Sequence, residues 1–346
     1  MALILGRNTK GLVLLALFCV AILPSCHSES DYFEFTGPTM GTRYSIKVLV
    51  DDAGDKAEYQ KLSAQITQTL RDFNQSMSTY IADSELSRFN KSSVGEWFNV
   101  SKSLCFVLAE AESISQLSSG AFDVTVGPLV NAWGFGPDRH ENPPSDADLT
   151  ALLTLTGFQS LDINCDSLLV RKSKAVYVDL SAIAKGYATD VIADILLEKS
   201  YQNFMVEIGG ELNIRGVNPG GVPWRIAIEK PSLFQGASSQ VLSIPNKAVA
   251  TSGDYRNYYE KDGQFFSHTI NPATARPVNH ALASVTVVAD TGARADAYAT
   301  ALNVLGPDAG FALAKHNKLA AFFIVRGEEG FEFKFTDQFV QYKVKP

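Results

Sequence analysis

In "RADAYATAL", Asp296 and Thr300 stand four residues apart, which places them on one face of a helix. A carboxylate and a hydroxyl so placed can hold a hard cation through oxygen. Their neighbours Ala297, Ala299 and Ala301 are small and leave room beside them. The pair also suits a plain helix start, with the Asp favoured by the helix dipole and the Thr bonded back to its own backbone. A second stretch, "VDLSAIAKGYATD", sets Lys185 and Gly186 just inside a helix expected to open at Ser181 or Ala182 and run toward Lys199. Gly within a helix costs about 1 kcal/mol relative to Ala. Something large and anionic lying against the helix start would account for both residues. A solvated lysine beside a packing glycine would account for them too. His268 lies near a strand end, before "INP", where it can serve as acid or base or as a structural group.

Four other segments carry more glycine and polar content than a core needs: "GPTMGTRY", "GAFDVTVGP", "VEIGGEL" and "TSGDYRNYY". Glycine pairs usually make turns, so each alone says little. No G-x-S-x-G, H-E-x-x-H or Walker-type glycine loop occurs, so the common hydrolase and zinc-protease readings have no support.

These residues need elements to position them. "YFEFTGPTMGTRYSIKVLV" reads as two strands around a turn centred on Gly37 and Pro38. Residues 57 to 76 carry apolar positions at helical spacing. Asp83 or Ser84 can cap a short helix, Ser101 a helix through Leu117, and Ser145 a small helix in "SDADLTALLTL". "GAFDVTVGPLVNAWGFGP" reads as loop plus a short helix. After residue 159 short strands dominate, near 168–171, 175–179, 203–208, 224–229, 247–251, 265–270 and 282–289. A helix from Thr291 to Leu305 interrupts them, and "AAFFIV" and "FEFKF" make a last pair. The pattern is α+β: a largely antiparallel sheet core flanked by helices.

The first 26 residues stand apart. Arg7 and Lys10 precede the apolar run "GLVLLALFCVAIL", the layout of a secretory signal. It ends in "LPSC", so Cys26 is a candidate for lipidation. Cleavage by an ordinary signal peptidase, or an uncleaved anchor, is the alternative. The expectation is residues 27–346 as a single domain, lipid-anchored on the periplasmic side of the inner membrane. A net charge of −7 argues against a nucleic-acid partner. Outside the leader and Cys26 only Cys105 and Cys165 remain, and a bridge between them is permitted but not legible.

Taken in chain order, these segments resemble the ApbE family of FAD:protein FMN transferases. The likeness covers nearly the whole chain after the leader. It rests on "TMGTRYSI", "MSTYIADSELSRFN", "GAFDVTVGPLVNAWGFG", "VDLSAIAKGYATD", "VEIGGEL", "ATSGDYRNYY", "SHTINPATARPV" and "ADAYATALNVLG". The resemblance implies FAD contacts at Met40, Tyr80, Ala121, Phe122, Asp123, Asp179, Lys185 and Ile270. It implies Mg²⁺ on Asp296, Thr300 and the Ala182 carbonyl. It further implies attack by an acceptor threonine on FAD, with AMP released; His268 is our candidate base. Acceptors would be exported or membrane redox proteins, such as subunits of a sodium-pumping quinone reductase or related electron-transport complexes. An FAD pyrophosphatase and an FAD-storage lipoprotein are the alternatives. Ser181 and Ala182 stand where many members have Gly-Gly, and Ala275 replaces a common turn glycine.

Overall fold

The computed structural model describes residues 32–50, 55–137, 142–231, 238–254, 258–261 and 264–344. The leader, Cys26, His140 and the middle of "TSGDYRNYY" lie outside them. In chain order the elements are β1 (Tyr32–Thr39), β2 (Thr42–Leu49), α1 (Lys56–Met77), α2 (Glu85–Lys91), β3 (Phe98–Asn99) and α3 (Lys102–Leu117). There follow α4 (Gly127–Ala132), α5 (Asp146–Leu153), β4 (Leu161–Asn164), β5 (Leu169–Lys172), α6 (Ala184–Glu198), β6 (Phe204–Ile208) and β7 (Glu211–Arg215). Next come β8 (Trp224–Glu229), β9 (Ser238–Ile244), β10 (Lys247–Gly253), β11 (Tyr258–Lys261), β12 (Gln264–Ser267), β13 (Ile270–Asn271) and β14 (Arg276–Pro277). The chain closes with β15 (Leu282–Ala289), α7 (Gly292–His316), β16 (Ala320–Gly327) and β17 (Gly330–Phe335).

An eight-stranded sheet, ordered β1-β2-β6-β7-β10-β15-β16-β17, forms the centre. Every neighbouring pair in it is antiparallel. One face carries Ile46, Val48, Val206, Ile208, Val285 and Phe323 against the helices. The other carries Leu212, Ile214, Val249, Phe322 and Ile324 against the β8–β9 hairpin and the C-terminal turn at Phe339. Packing on both faces explains why β15 is buried at consecutive positions, Ser284 and Thr286 included, rather than at alternate ones.

Local chemistry sets the helix starts. Ser84, Ser101 and Thr291 each accept a first-turn N–H, and Ser145 with Asp148 makes a reciprocal capping box. The helix of residues 291–305 extends to His316, interrupted at Gly306, whose φ of +79° precedes Pro307. Pro307 has no N–H to give the Asn303 carbonyl, and the His280 imidazole meets that oxygen at 2.7 Å instead.

Several expected boundaries move. The first turn is Met40–Gly41, not Gly37–Pro38: both its residues have positive φ, 49° and 70°, as a tight two-residue hairpin requires. Pro38 is tolerated inside β1 because β1 is the sheet edge. Gly37 leaves space for the Tyr44 ring, which an added Cβ would meet at 2.7 Å. Residues 175–179 run without a ladder apart from a single bridge between Tyr177 and Val126. The Asn90 side chain stands in for the missing strand, donating to the Val178 carbonyl and accepting from its N–H, each at 2.8 Å. The 265–270 strand splits at His268 and Thr269 into β12 and β13. Ala275 takes the left-handed conformation of a turn glycine, φ 59°, and its carbonyl accepts the Trp133 indole N–H at 2.8 Å.

Cys105 on α3 and Cys165 in the β4–β5 turn are disulfide-bonded across 60 residues of sequence. Closing a loop of that size constrains the unfolded chain by up to about 4 kcal/mol. Replacing both cysteines by serine is expected to lower unfolding free energy by about 2–4 kcal/mol. Chemical denaturation read by tryptophan fluorescence checks this, and an unchanged midpoint would exclude a stabilising role for the bridge.

Candidate functional site

The site begins with two helices in backbone contact. An added Cβ at Gly186 on α6 would lie 2.1 Å from the Gly292 carbonyl oxygen on α7. One at Gly292 would lie 2.2 Å from the Gly186 carbonyl oxygen. No larger residue fits at either place. The contact sets the buried Asp296 carboxylate against the Gly186 N–H, which donates to it at 3.0 Å. Asp190 on α6 ties the helices again by accepting from the N–H groups of Gly292 and Ala293.

The helix of Lys185 opens later than the sequence suggests, at Ala184 rather than at Ser181 or Ala182. Residues 181–183 form a turn, held by the Asp179 carboxylate, which accepts the Ser181 N–H at 2.8 Å. Ile183, with φ −147°, is the non-helical cap. Ala182 therefore sits in the turn that precedes the helix, and Lys185 in the first helical turn.

Lys185 Nζ lies 3.3 Å from Glu211 and 3.9 Å from Asp296, and donates to the Ser181 carbonyl at 3.2 Å. Glu211 follows Gly209 and Gly210, whose φ angles of 62° and 102° make the two-residue β6–β7 hairpin loop. Both carboxylates are at least nine-tenths buried. Burial pushes the Glu211 carboxyl up to about 8 against the pull of Lys185, and burial raises Asp296 too. Burial alone would lower Lys185; the charges of Asp296 and Glu211 reverse that and hold it above its usual range. Two acids beside one ammonium leave the cluster short of positive charge, and Glu211 Oε2 has no hydrogen-bond partner among the described residues.

This cluster lies on a cleft of about 2000 Å³. The cleft gathers the residues expected to contact FAD or the metal and the candidate base: Met40, Tyr80, Ala121, Phe122, Asp123, Asp179, Ala182, Lys185, His268, Ile270, Asp296 and Thr300 all line it. Their surroundings differ. Tyr80 is 67% exposed, with its hydroxyl donating to the Phe135 carbonyl at 3.0 Å. The Asp123 carboxylate turns inward, accepting from the Thr125 N–H and hydroxyl and from the Phe158 N–H. These bonds shape its own loop. His268 stands edge-on to the Phe135 ring at 6.4 Å.

Glu211 escaped the sequence reading. "VEIGGEL" drew attention only for its glycines, and the signal was the acid directly after a two-glycine turn. Among the described residues no three His, Cys, Asp or Glu side chains cluster as a metal site. A cation here would rest on Asp296 together with hydroxyl and carbonyl oxygens. That donor set suits a hard ion, and the excess of buried acid over base suits an added positive charge.

Two outcomes follow from this geometry. Gly186→Ala is expected to cost about 3 kcal/mol or more, because the methyl meets backbone that cannot yield; an unfolding curve matching wild type would contradict the contact. Glu211 has a folded pKa raised from 4.5 to about 8. Its protonated form favours the fold fully below the unfolded value and loses that advantage as pH rises through the folded one. Wild type should therefore lose stability from about pH 5 to pH 8 more steeply than Glu211→Gln, measured by urea unfolding across that range. Superimposable pH profiles would count against the protonated acid.

The ApbE family pattern matches residues 40–323. A protein of Vibrio cholerae described as FAD:protein FMN transferase is 44% identical over 320 residues, covering 92% of this chain and 95% of that protein. A Haemophilus influenzae protein of the same description is 42% identical, covering 94% of this chain and 96% of its own length. The solved flavin transferase ApbE from Vibrio cholerae superposes with a TM-score of 0.83 at 42% identity, covering 90% of this chain and 99% of that one. A family pattern and relatives of this identity, spread over the helices and hairpins that build the cleft, leave one conclusion: the chain belongs to the ApbE family.

Proposed function

We infer that this chain is an FAD:protein FMN transferase. The observation that carries the reading is the cleft itself. It is lined by a lysine held between two buried acids, by His268 and by the exposed aromatic Tyr80, in a chain 44% identical to a protein so described. The acceptor threonine hydroxyl attacks the FMN-side phosphorus of FAD. The phosphoanhydride bond breaks, AMP leaves with the bridging oxygen, and FMN stays on the acceptor as a phosphoester. The hydroxyl proton passes to His268, our assignment for the base.

The remaining roles are assigned by what each residue offers. Lys185 supplies fixed positive charge to the pyrophosphate. Tyr80 offers a ring face for a flat ligand ring. Met40, the 121–123 loop, Asp179 and Ile270 shape the walls that hold FAD for in-line attack. Asp296, Thr300 and the Ala182 carbonyl would hold Mg²⁺, which when bound supplies charge neutralisation at the pyrophosphate. The buried, raised Asp296 carboxyl and the Glu211 oxygen that lacks a partner among the described residues fit that assignment.

We also propose that residues 27–346 act as one transferase domain. The acceptors are exported or membrane redox proteins, such as subunits of a sodium-pumping quinone reductase. Lipid at Cys26 holds the enzyme on the periplasmic side of the inner membrane. Among the described residues no helix is long and apolar enough to cross a membrane.

The test mixes the chain from residue 27 with FAD, Mg²⁺ and an acceptor domain, and reads acceptor mass and free AMP. Addition of one FMN with AMP release, lost on chelation, is expected. AMP release with every acceptor unmodified would move the reading to an FAD pyrophosphatase. Asp296→Ala should lose the Mg²⁺-dependent turnover. His268→Asn should slow transfer about 10²–10⁴-fold at saturating FAD, the usual share of a general base; an unchanged rate would remove His268 from that role.

A further inference from the structure

One wall of the cleft carries none of the residues assigned above to FAD or Mg²⁺. Every residue of β8, from Trp224 to Glu229, borders it. A strand presenting a face contributes alternate residues; a consecutive run presents its edge. β8 pairs with β9 on one side and, among the described residues, with no strand on the other. Trp224 and Ile228 are buried in the core under the hairpin, and Ile226 packs against it, so the side chains of Arg225 and Ala227 turn outward.

The ladder tells which backbone groups reach this edge. Ala227 stands opposite Val241. The Val241 carbonyl accepts the Val344 N–H at 3.1 Å, on the far side of β9. In an antiparallel ladder a residue turns its N–H and C=O the same way, and facing pairs alternate between bonded and non-bonded. Ala227–Val241 is therefore a non-bonded pair. Ala227, and Arg225 two residues before it, point their N–H and C=O into the cleft. The C-terminal segment covers the outer edge of β9; no described strand covers this edge of β8.

The space beside the edge exceeds one small ligand. Sites for such ligands run to roughly 300–1,000 Å³, and this cleft holds about 2000 Å³. It continues from β8 over Lys47, Met205 and Glu207 on the second face of the sheet and reaches Lys185 and His268 without a break.

We propose that the free edge of β8 seats the acceptor polypeptide, which adds as an extended strand and so carries its hydroxyl residue toward the flavin site. The proposal rests on the transferase reading. A small substrate has no use for a row of spare backbone donors and acceptors, whereas an extended chain matches them at its own repeat. Arg225 on the same strand places charge where an uncovered edge is guarded against pairing with other copies, and it limits which side chains the added strand tolerates.

Ala227→Pro tests this, because it deletes one N–H on the free edge and none in the β8–β9 ladder, a position where proline is accepted. With an acceptor domain that the wild type labels, the acceptor KM should rise about tenfold, the worth of about one backbone hydrogen bond. FAD affinity, read by flavin fluorescence, should stay unchanged. A second measurement does not depend on that variant folding. Hydrogen exchange of the wild-type enzyme with FAD is followed with and without an acceptor whose modified threonine is replaced by valine. Slowed exchange at the Arg225 and Ala227 amides, with β9 unchanged, is expected. An unaltered acceptor KM in the variant, or a formed complex without slowing at these amides, would overturn the proposal. A wild type that binds FAD but labels no acceptor would overturn the transferase reading and this one with it.

Discussion

Helices α6 and α7 meet backbone to backbone at Gly186 and Gly292, and the site depends on that contact. It is closer than any pair of side-chain-bearing residues allows, since an added Cβ on either glycine would stand within 2.2 Å of a carbonyl oxygen. The approach lets a helix N–H reach a carboxylate on the neighbouring helix, Gly186 to Asp296. A buried carboxylate needs such partners, since an isolated charge in low dielectric is expensive. The glycine in "AKGYA" is thus a packing residue whose consequence is chemical: it decides where Asp296 can sit.

Charge follows from that geometry. Asp296 brings Lys185 close, and the two-glycine hairpin at 209–210 delivers Glu211 to the other side of the same ammonium. Two buried acids around one partly exposed ammonium cannot all carry their usual charges. Burial raises both carboxyls toward the protonated form, and one Glu211 oxygen has no hydrogen-bond partner among the described residues. A pyrophosphate with a counter-cation changes both sides of this balance at once. A site of this kind binds its ions and its proton as linked quantities.

Legibility followed the range of the interaction. Caps were readable where both partners sit within a turn, as at Ser84, Ser101 and Ser145. Strands were readable where side chains alternate or run apolar, and residues 224–229 and 282–289 fall where expected. The errors lie where a distant group decides. Pro38 looks like a turn until β1 proves to be the sheet edge. Residues 175–179 look like a ladder strand, yet their partner is the amide of Asn90, 88 residues away from Val178. The pairing of Cys105 with Cys165 depends on a fold that spacing does not describe. For the cleft, no local rule links Met40, Tyr80, Lys185, His268 and Asp296. Only the ordered resemblance put them together, and Glu211, with no signal of its own beyond the preceding glycines, stayed out of view.

The sheet divides the labour by face. Helices pack on one side, and their starts supply Lys185 and Asp296 at its margin. On the other side a two-stranded hairpin covers only part of the surface, and Met205, Glu207 and Lys47 line the same cleft as the edge of β8 that no described strand covers. A protein that joins a small molecule to a large one needs both kinds of surface. Buried, fixed charge handles the small reactant, where position sets the rate. The large reactant needs a shallow, repetitive surface that a folded partner can reach with one extended segment. An enclosed pocket would serve the first and exclude the second. In the proposed arrangement the edge of β8 that no described strand covers, a feature folded proteins normally cover or blunt, lies along the wall of the cleft that holds Lys185 and His268, and that placement ties the edge to the reaction.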